Sequence, residues 1–297
     1  MASPRTSRSA PVLTFLLTFP LVFLLAAAGS AHAQSPAGAL EKIAKSGVIT
    51  LGHRTDSVPF SFVDEQKEAN GYTVDLCKRV VASLQQQLKL KELTIKWVPV
   101  TAETRFPAVT KGEIDLECGT TTATLGRQGT VDFSNLIFVD GGGLLVRTDF
   151  PADKIDLANK KIAVTAGTTA AQQLPEALKA RKLSAQIVVM KNEMDALAAL
   201  ESGQVDAYAN DRVLLFGLAL QGKDPSKLAL LNADFSFEPY ALMMRRNDPA
   251  FRLAVNRALA RIYGSDAIGE IYTKWFGKFG APGDLLRAMY YLNALPE

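Results

Sequence analysis

A helix-to-strand phrase occurs twice in this chain. Ala108-Val109-Thr110-Lys111-Gly112-Glu113-Ile114-Asp115 is echoed by Ala199-Leu200-Glu201-Ser202-Gly203-Gln204-Val205-Asp206. In each copy a helical stretch stops at a glycine, the residue that best tolerates the turn past a helix end, and a strand carrying an Asp follows. The offset that takes Gly112 to Gly203 also takes Thr120 to Asp211. Each copy therefore delivers a polar residue to the carboxyl end of its strand, where open α/β sheets bind ligands. Helix-Gly-strand punctuation is also generic in α/β chains. Two similar α/β halves facing each other explain both copies. They also explain Asp140-Gly141-Gly142-Gly143, set between extended runs at 133–139 and 141–146, as a hinge or crossover of conformationally free glycines.

The rest of the pattern alternates strand and helix. Residues 40–45 read as a short leading helix stopped by Gly47, and 48–52 as a buried strand. A helix opens at Gly71-Tyr72, with Cys77, Val80, Val81, Leu84 and Leu88 on one face. Residues 94–100 form a strand, 104–111 a helix carrying Arg105, and 113–117 a strand. Beyond the glycines come a strand at 161–165, a helix from Thr168-Thr169, and a strand at 186–190. A helix at 193–200, a strand at 205–209 and a helix at 213–220 follow. Strands at 228–231 and 240–244 precede helices at 253–262 and 267–276. The class is α/β.

The first 33 residues stand apart. Arg5 and Arg8 precede an apolar run at 12–28 and the small-residue site Ala31-His32-Ala33, the plan of a cleavable secretory leader rather than a membrane anchor. Removing it brings the formal charge of +3 close to neutral. Nothing in that balance, and no basic run, speaks for nucleic acid or an anionic membrane surface. Two cysteines remain, Cys77 and Cys118. Export permits them to pair, but the sequence leaves open whether their Cα atoms come close enough. No Cys/His spacing suits a metal, so neither metal nor cofactor is expected.

Chemistry concentrates in Glu117-Cys118-Gly119-Thr120-Thr121-Thr122-Ala123-Thr124-Leu125-Gly126-Arg127. Hydroxyls, a prospective helix start and a guanidinium gather at one strand end. Helix-start N–H groups carry partial positive charge, and arginine offers a planar, two-pronged donor to carboxylates. The bland alternative is an ordinary Ser/Thr cap.

Several further motifs fall in a specific order: Gly52-His53-Arg54, Ser57-Val58-Pro59-Phe60-Ser61, Gly71-Tyr72 with Asp75, Arg127-Gln128, Gly167-Thr168-Thr169, and Lys274-Trp275-Phe276. Together they resemble the periplasmic amino-acid-binding proteins of ABC importers, bacterial solute-binding family 3, glutamate/aspartate type. The resemblance covers nearly the whole mature chain. It implies a type II periplasmic-binding fold of two α/β lobes, each a mixed sheet flanked by helices, joined by two hinge crossovers near 139–143 and 235–239. Lobe 1 would hold 34–139 and 240–297, lobe 2 residues 140–239. The resemblance further implies a monomeric periplasmic receptor, not an enzyme, that delivers a small amino acid to an inner-membrane permease. Arg127 and the Thr122 amide would hold the ligand α-carboxylate. Thr120 and Asp211 would hold its ammonium, and Arg54 and Arg105 its side-chain carboxylate. Thr168 and Thr169 would close from the second lobe. Several charge-assisted hydrogen bonds at roughly 1.5–3 kcal/mol each, less ordering costs, would give about −8 kcal/mol, micromolar binding.

Two positions depart from the dicarboxylate pattern. Ala102 stands where the family has Ser, and Glu193 where it has His. With Arg54, Arg105 and Arg127 set against Asp211 and Glu193, glutamate still balances the cleft. Glu193 could instead pair with Arg54 or Arg105 and favour glutamine or asparagine. An exported enzyme of the same fold, cyclohexadienyl dehydratase-like with Glu193 as general acid, is the other alternative. On residues alone, Arg54 and Arg105 read first as surface arginines, Asp211 as a helix cap, and Phe60, Phe62 and Tyr72 as core. His53 reads as structural.

Overall fold

The computed structural model describes residues 38–150, 157–231 and 234–297; the leader assigned to residues 1–33 lies outside them. The chain opens with α1 (Ala39–Ser46), β1 (Val48–His53), β2 (Asp56–Ser57), β3 (Ser61–Val63), β4 (Ala69–Asn70) and α2 (Tyr72–Gln87). Next come β5 (Thr94–Pro99), α3 (Arg105–Thr110), β6 (Leu116–Cys118), α4 (Leu125–Gln128) and the long β7 (Val131–Arg147). The second half runs β8 (Lys160–Thr165), α5 (Thr169–Ala180), β9 (Ala185–Met190), α6 (Glu193–Glu201), β10 (Ala207–Asp211), α7 (Arg212–Gln221) and β11 (Leu228–Leu230). The chain then returns through β12 (Ser236–Arg245), α8 (Pro249–Tyr263), α9 (Ala267–Phe276) and α10 (Asp284–Asn293).

The two halves are built alike. β1 lies between β5 and β6, parallel to both, and β8 lies between β9 and β10, parallel to both. The repeated phrase is repeated hydrogen bond for hydrogen bond. Gly112 and Gly203 both adopt positive φ, 71° and 77°. The amides of Glu113 and Ile114 donate to the Ala108 carbonyl, as those of Gln204 and Val205 donate to Ala199. Asp115 accepts from the Thr50 amide at 2.9 Å, and Asp206 from the Lys161 amide at 2.8 Å. These turns explain why β6 and β10 begin later than the hydrophobic pattern implies. The intervening amides are spent on carbonyls that the preceding helix leaves open at its last turn.

β7 and β12 join the halves. They pair antiparallel from Val131↔Arg245 to Gly142↔Ser236, with register shifts around Tyr240 and Ala241. β12 also pairs with β6, and β7 with β10 and β11, so hydrogen bonding passes from one half to the other through two adjacent strands. In the sequence Asp140-Gly141-Gly142-Gly143 reads as a hinge or crossover between two extended runs; in the structure β7 runs through it as one strand. None of the three glycines has positive φ. Their requirement is space. A Cβ on Gly142 would lie 2.2 Å from Ser236 Oγ and 2.7 Å from the Phe235 ring, and one on Gly143 would lie 2.8 Å from Arg212 Cγ.

The first half packs an aromatic nest of Phe60, Tyr72, Phe138, Tyr240 and Phe276, with ring centroids 4.8–6.2 Å apart. Such pairs contribute about 0.5–1.5 kcal/mol each beyond burial. Phe60 and Tyr72 are thus core. Cys77 and Cys118 form a disulfide, with Cα atoms 6.3 Å apart, tying α2 to β6. α10 lies beyond the last helix that the sequence pattern predicts, and its Leu285, Tyr291 and Leu292 are exposed. Its Leu286, Met289 and Tyr290 nevertheless bury, and Tyr290 Oη meets Tyr72 Oη at 2.7 Å.

Candidate functional site

The carboxyl ends of β1, β6, β8 and β10 meet across the junction. Eight of the nine residues singled out in the sequence, Arg54, Arg105, Thr120, Thr122, Thr168, Thr169, Glu193 and Asp211, line one small cavity there. Its volume is about 10 Å³, room for about one water molecule. Arg127 stands outside it, in an adjoining groove with Phe106, Gly167 and Gln172.

Each side chain owes its place to local structure. Thr120 to Ala123 lie against β12: the Ala123 amide donates to Pro239 O, the Ala241 amide to Thr121 O, and Thr122 bridges Tyr240. Thr124 caps α4 by accepting from the Arg127 amide at 3.1 Å, so the capping reading holds for that threonine. Thr168 caps α5 and donates to Thr165 O at 2.7 Å. Glu193 opens α6 directly after its cap, Asn192. Asp211 ends β10 where α7 begins, but its carboxylate makes no capping bond and accepts from Tyr240 Oη instead.

The polar contacts cross between the halves. Arg54 Nη2 lies 3.0 Å from Glu193 Oε1 and 3.0 Å from Asp56 Oδ1. Ser57 Oγ donates to the same Glu193 carboxylate at 3.3 Å. Arg127 donates to the Thr122 carbonyl at 3.0 Å and to Gly167 O, in the second half, at 3.3 Å, with its guanidinium over the Phe106 ring. Thr122 from one half and Thr169 from the other both donate to Glu238 Oε2, at 2.5 and 2.7 Å. Ser236 donates to the other oxygen of Glu238.

Arg105 differs from the other two arginines. It is buried, and its Nε and Nη1 have no hydrogen-bond partner among the described residues. Arg54 Nε and Glu117 Oε1 share that state. Burial, opposed by Glu117 and abetted by the neighbouring Arg127 and Arg54 charges, lowers the Arg105 pKa to about 10. Burial also acts on Arg54, but the Glu193, Asp56 and Glu117 carboxylates outweigh it and the pKa rises. Glu193 is pushed up to about 7, because burial outweighs its half-share of Arg54 and Asp56 adds to it. Burial, then the carboxylates of Glu238 and Asp140, hold Asp211 well above the usual range. His53 is structural: its Nδ1 meets Arg54 O at 2.8 Å and its ring sits edge-on to Trp97.

Reasoning from sequence missed Glu238, Asn210 and Leu214. Asn210 and Leu214 line the cavity. Asn210 donates to Tyr208 Oη at 2.8 Å and accepts from the Asp211 amide. Glu238 is a lone acid inside the run Phe237-Glu238-Pro239-Tyr240-Ala241-Leu242-Met243-Met244. That isolation was the available signal, since a charge buried in a strand needs a partner.

Comparison with known proteins agrees with this architecture. The profile of the bacterial extracellular solute-binding proteins, family 3, matches residues 49–278. An L-glutamate/L-aspartate-binding protein of Pseudomonas aeruginosa is 39% identical over 80% of this chain and 80% of its own length. A glutamate/aspartate import solute-binding protein of Salmonella typhimurium is 36% identical over 88% of each. Among solved structures, an ancestral amino acid-binding protein described as a precursor of cyclohexadienyl dehydratase superposes with a TM-score of 0.69. It shares 27% identity, with coverage of 81% of this chain and 100% of that one.

Proposed function

The chain belongs to the bacterial extracellular solute-binding proteins, family 3, and from that premise we propose that it is a receptor that captures glutamate or aspartate for the permease of an ABC importer. The observation that carries the ligand class is Arg105. A buried cation with two unpartnered nitrogens is costly unless something else supplies acceptors. With Arg54 Nε, the site holds three unsatisfied donors against one unsatisfied acceptor, Glu117 Oε1, among the described residues. A carboxylate brings acceptors only, whereas an amide turns half of its polar surface into donors.

In this reading Arg105 and Arg54 hold the side-chain carboxylate, Arg127 and the Thr122 amide the α-carboxylate, and Thr120 and Asp211 the ammonium. Thr168 and Thr169 join from the second lobe. Lobe 1 takes in 34–139 with 240–297 and lobe 2 residues 140–239, the two turning about β7 and β12. A cavity of about 10 Å³ is too small for an amino acid, so entry requires the lobes to part. The ligand then replaces Glu238 as the acceptor of the Thr122 and Thr169 hydroxyls. The leader is removed after Ala33 and the receptor works in the periplasm as a monomer, releasing its ligand unchanged.

One observation favours a second reading. Glu193 occupies Arg54, which weakens that cation for a dicarboxylate and would suit glutamine or asparagine. Titration calorimetry with L-glutamate, L-aspartate, L-glutamine and L-asparagine decides between them. The expected result is micromolar or tighter binding of an acidic ligand, with the amides at least tenfold weaker; amides binding more tightly would reject the proposal.

A further inference from the structure

The charges in and around the site do not balance a dicarboxylate. Three guanidiniums, of Arg54, Arg105 and Arg127, share the region with six carboxylates, of Asp56, Glu117, Asp140, Glu193, Asp211 and Glu238. Glutamate adds one ammonium and two more carboxylates. Its side chain would approach Arg54 and Arg105, and both line the cavity beside Glu193. Carboxylates brought to share a buried site disfavour each other's charged form and raise the affinity of one of them for a proton.

We infer that Glu193 takes up a proton when the site accepts an acidic side chain, changing from counter-ion of Arg54 to neutral neighbour and making the preference for acid over amide depend on pH. This rests on the acidic-ligand reading above and specifies how that site discriminates. Among the described residues, the groups facing Glu193 are few. Arg54 and Asp56 meet from the first lobe at one guanidinium nitrogen, and Ser57 Oγ touches both carboxylate oxygens. On its own lobe Tyr208 and Asp211 act on it through space. Arg54 is the near cation, and Asp56 already claims part of it. Once neutral, Glu193 keeps its contact with Ser57, and Arg54 is free to turn charge toward the ligand. The proton comes from the buffer. The unliganded carboxyl, already raised to about 7 by burial, stands ready to accept it near neutrality.

The sign follows from linkage. If the bound complex holds Glu193 protonated, glutamate affinity is flat below pH ~7 and falls up to tenfold per unit above it. A glutamine side chain brings no charge and imposes no such dependence. Asp211 is expected to respond to the ammonium of either ligand, so subtracting glutamine from glutamate removes its contribution.

The test is titration of the full chain with L-glutamate and L-glutamine from pH 6 to 8.5, in phosphate and in Tris, whose ionisation enthalpies differ. Weak glutamine binding is measured by displacement of glutamate. Between pH 7 and 8.5, glutamate is expected to take up as much as one more proton than glutamine, and its advantage to shrink about tenfold per unit as pH rises. In Glu193→Gln both differences vanish. Equal proton counts for the two ligands in the unsubstituted protein would overturn the role of Glu193 alone, and that arm stands even if the variant does not fold. A difference that persists in Glu193→Gln would assign the proton elsewhere and overturn it as well. Absence of glutamate binding at every pH would overturn the ligand assignment together with this one.

Discussion

Arg54 and Arg105 lie in one cavity yet do different work. Arg54 neutralises Glu193 and Asp56, and removing it leaves two carboxylates without their cation. Breaking one partner of a buried pair costs about 3–5 kcal/mol of stability. Arg105 has no such obligation, since two of its nitrogens are unpartnered. In the proposed function its value lies in what it binds. Arg105→Met is therefore expected to weaken glutamate binding by about 2–5 kcal/mol, the cost of deleting one member of a buried charge pair, with a small shift in unfolding midpoint. Arg54→Met is expected to lower that midpoint by the larger amount. Thermal denaturation beside calorimetry on both variants checks the split. Equal stability losses would mean that Arg105 serves the fold.

At the level of elements, the repeated helix-glycine-strand unit brings a strand end from each lobe to the same place. In the first lobe the unit is anchored twice over. Asp115 accepts from Thr50 and from Lys42, and the next strand residues reach Cys118, which is bonded to Cys77 on α2. A crosslink closing a loop with a sequence separation of 41 residues constrains the unfolded chain by about 4 kcal/mol in the loop-entropy account. Cys77→Ala with Cys118→Ala is expected to lower the unfolding free energy by about 2–5 kcal/mol. Glutamate binding should survive where the variant remains folded, because neither sulfur reaches the cavity. Denaturant titration under oxidising and reducing conditions checks this; an unchanged midpoint in the reduced parent protein would reject it.

For the molecule as a whole, closure is held by few atoms. Glu193 with Arg54, Arg127 with Gly167 O, and Glu238 with Thr122 cross between the lobes, while Thr169 meets Glu238 within the second lobe. Gly167 makes a close backbone approach beside the cleft: a Cβ there would lie 2.7 Å from Ala102 O, and its φ of +75° already disfavours other residues. The atom that the Cβ would meet is main chain and cannot swing aside. Gly167→Ala is therefore expected to hold the lobes apart and weaken glutamate binding at least tenfold. Small-angle scattering should give a larger radius of gyration with saturating ligand than the parent protein has. Unaltered scattering and affinity would show that Ala102 and Gly167 separate without cost.

Much of this was legible in one dimension. Strand and helix periods, glycine stops and the duplicated phrase are local properties, set by dihedral preference and by which side chains share a face. They located both strand ends, with Thr120, Thr122 and Asp211, while Arg54, Arg105, Thr168, Thr169 and Glu193 entered only through the family resemblance. Local pattern could not assign partners, because pairing is a matter of distance in space. Whether Cys77 reaches Cys118 depends on how α2 packs against β6 within the first lobe; whether Glu193 meets Arg54 or Arg105, and whether Arg127 lies inside the cavity, depend on how the two halves approach each other. The glycines of β7 make the same point: their composition suggested freedom of dihedral angle, while packing against Phe235, Ser236 and Arg212 shows that the missing Cβ is what matters. Residue order set the elements and their polar ends; the approach of those ends in three dimensions set the charges each one faces, because electrostatic and steric terms fall off over a few ångströms and take no account of separation along the chain.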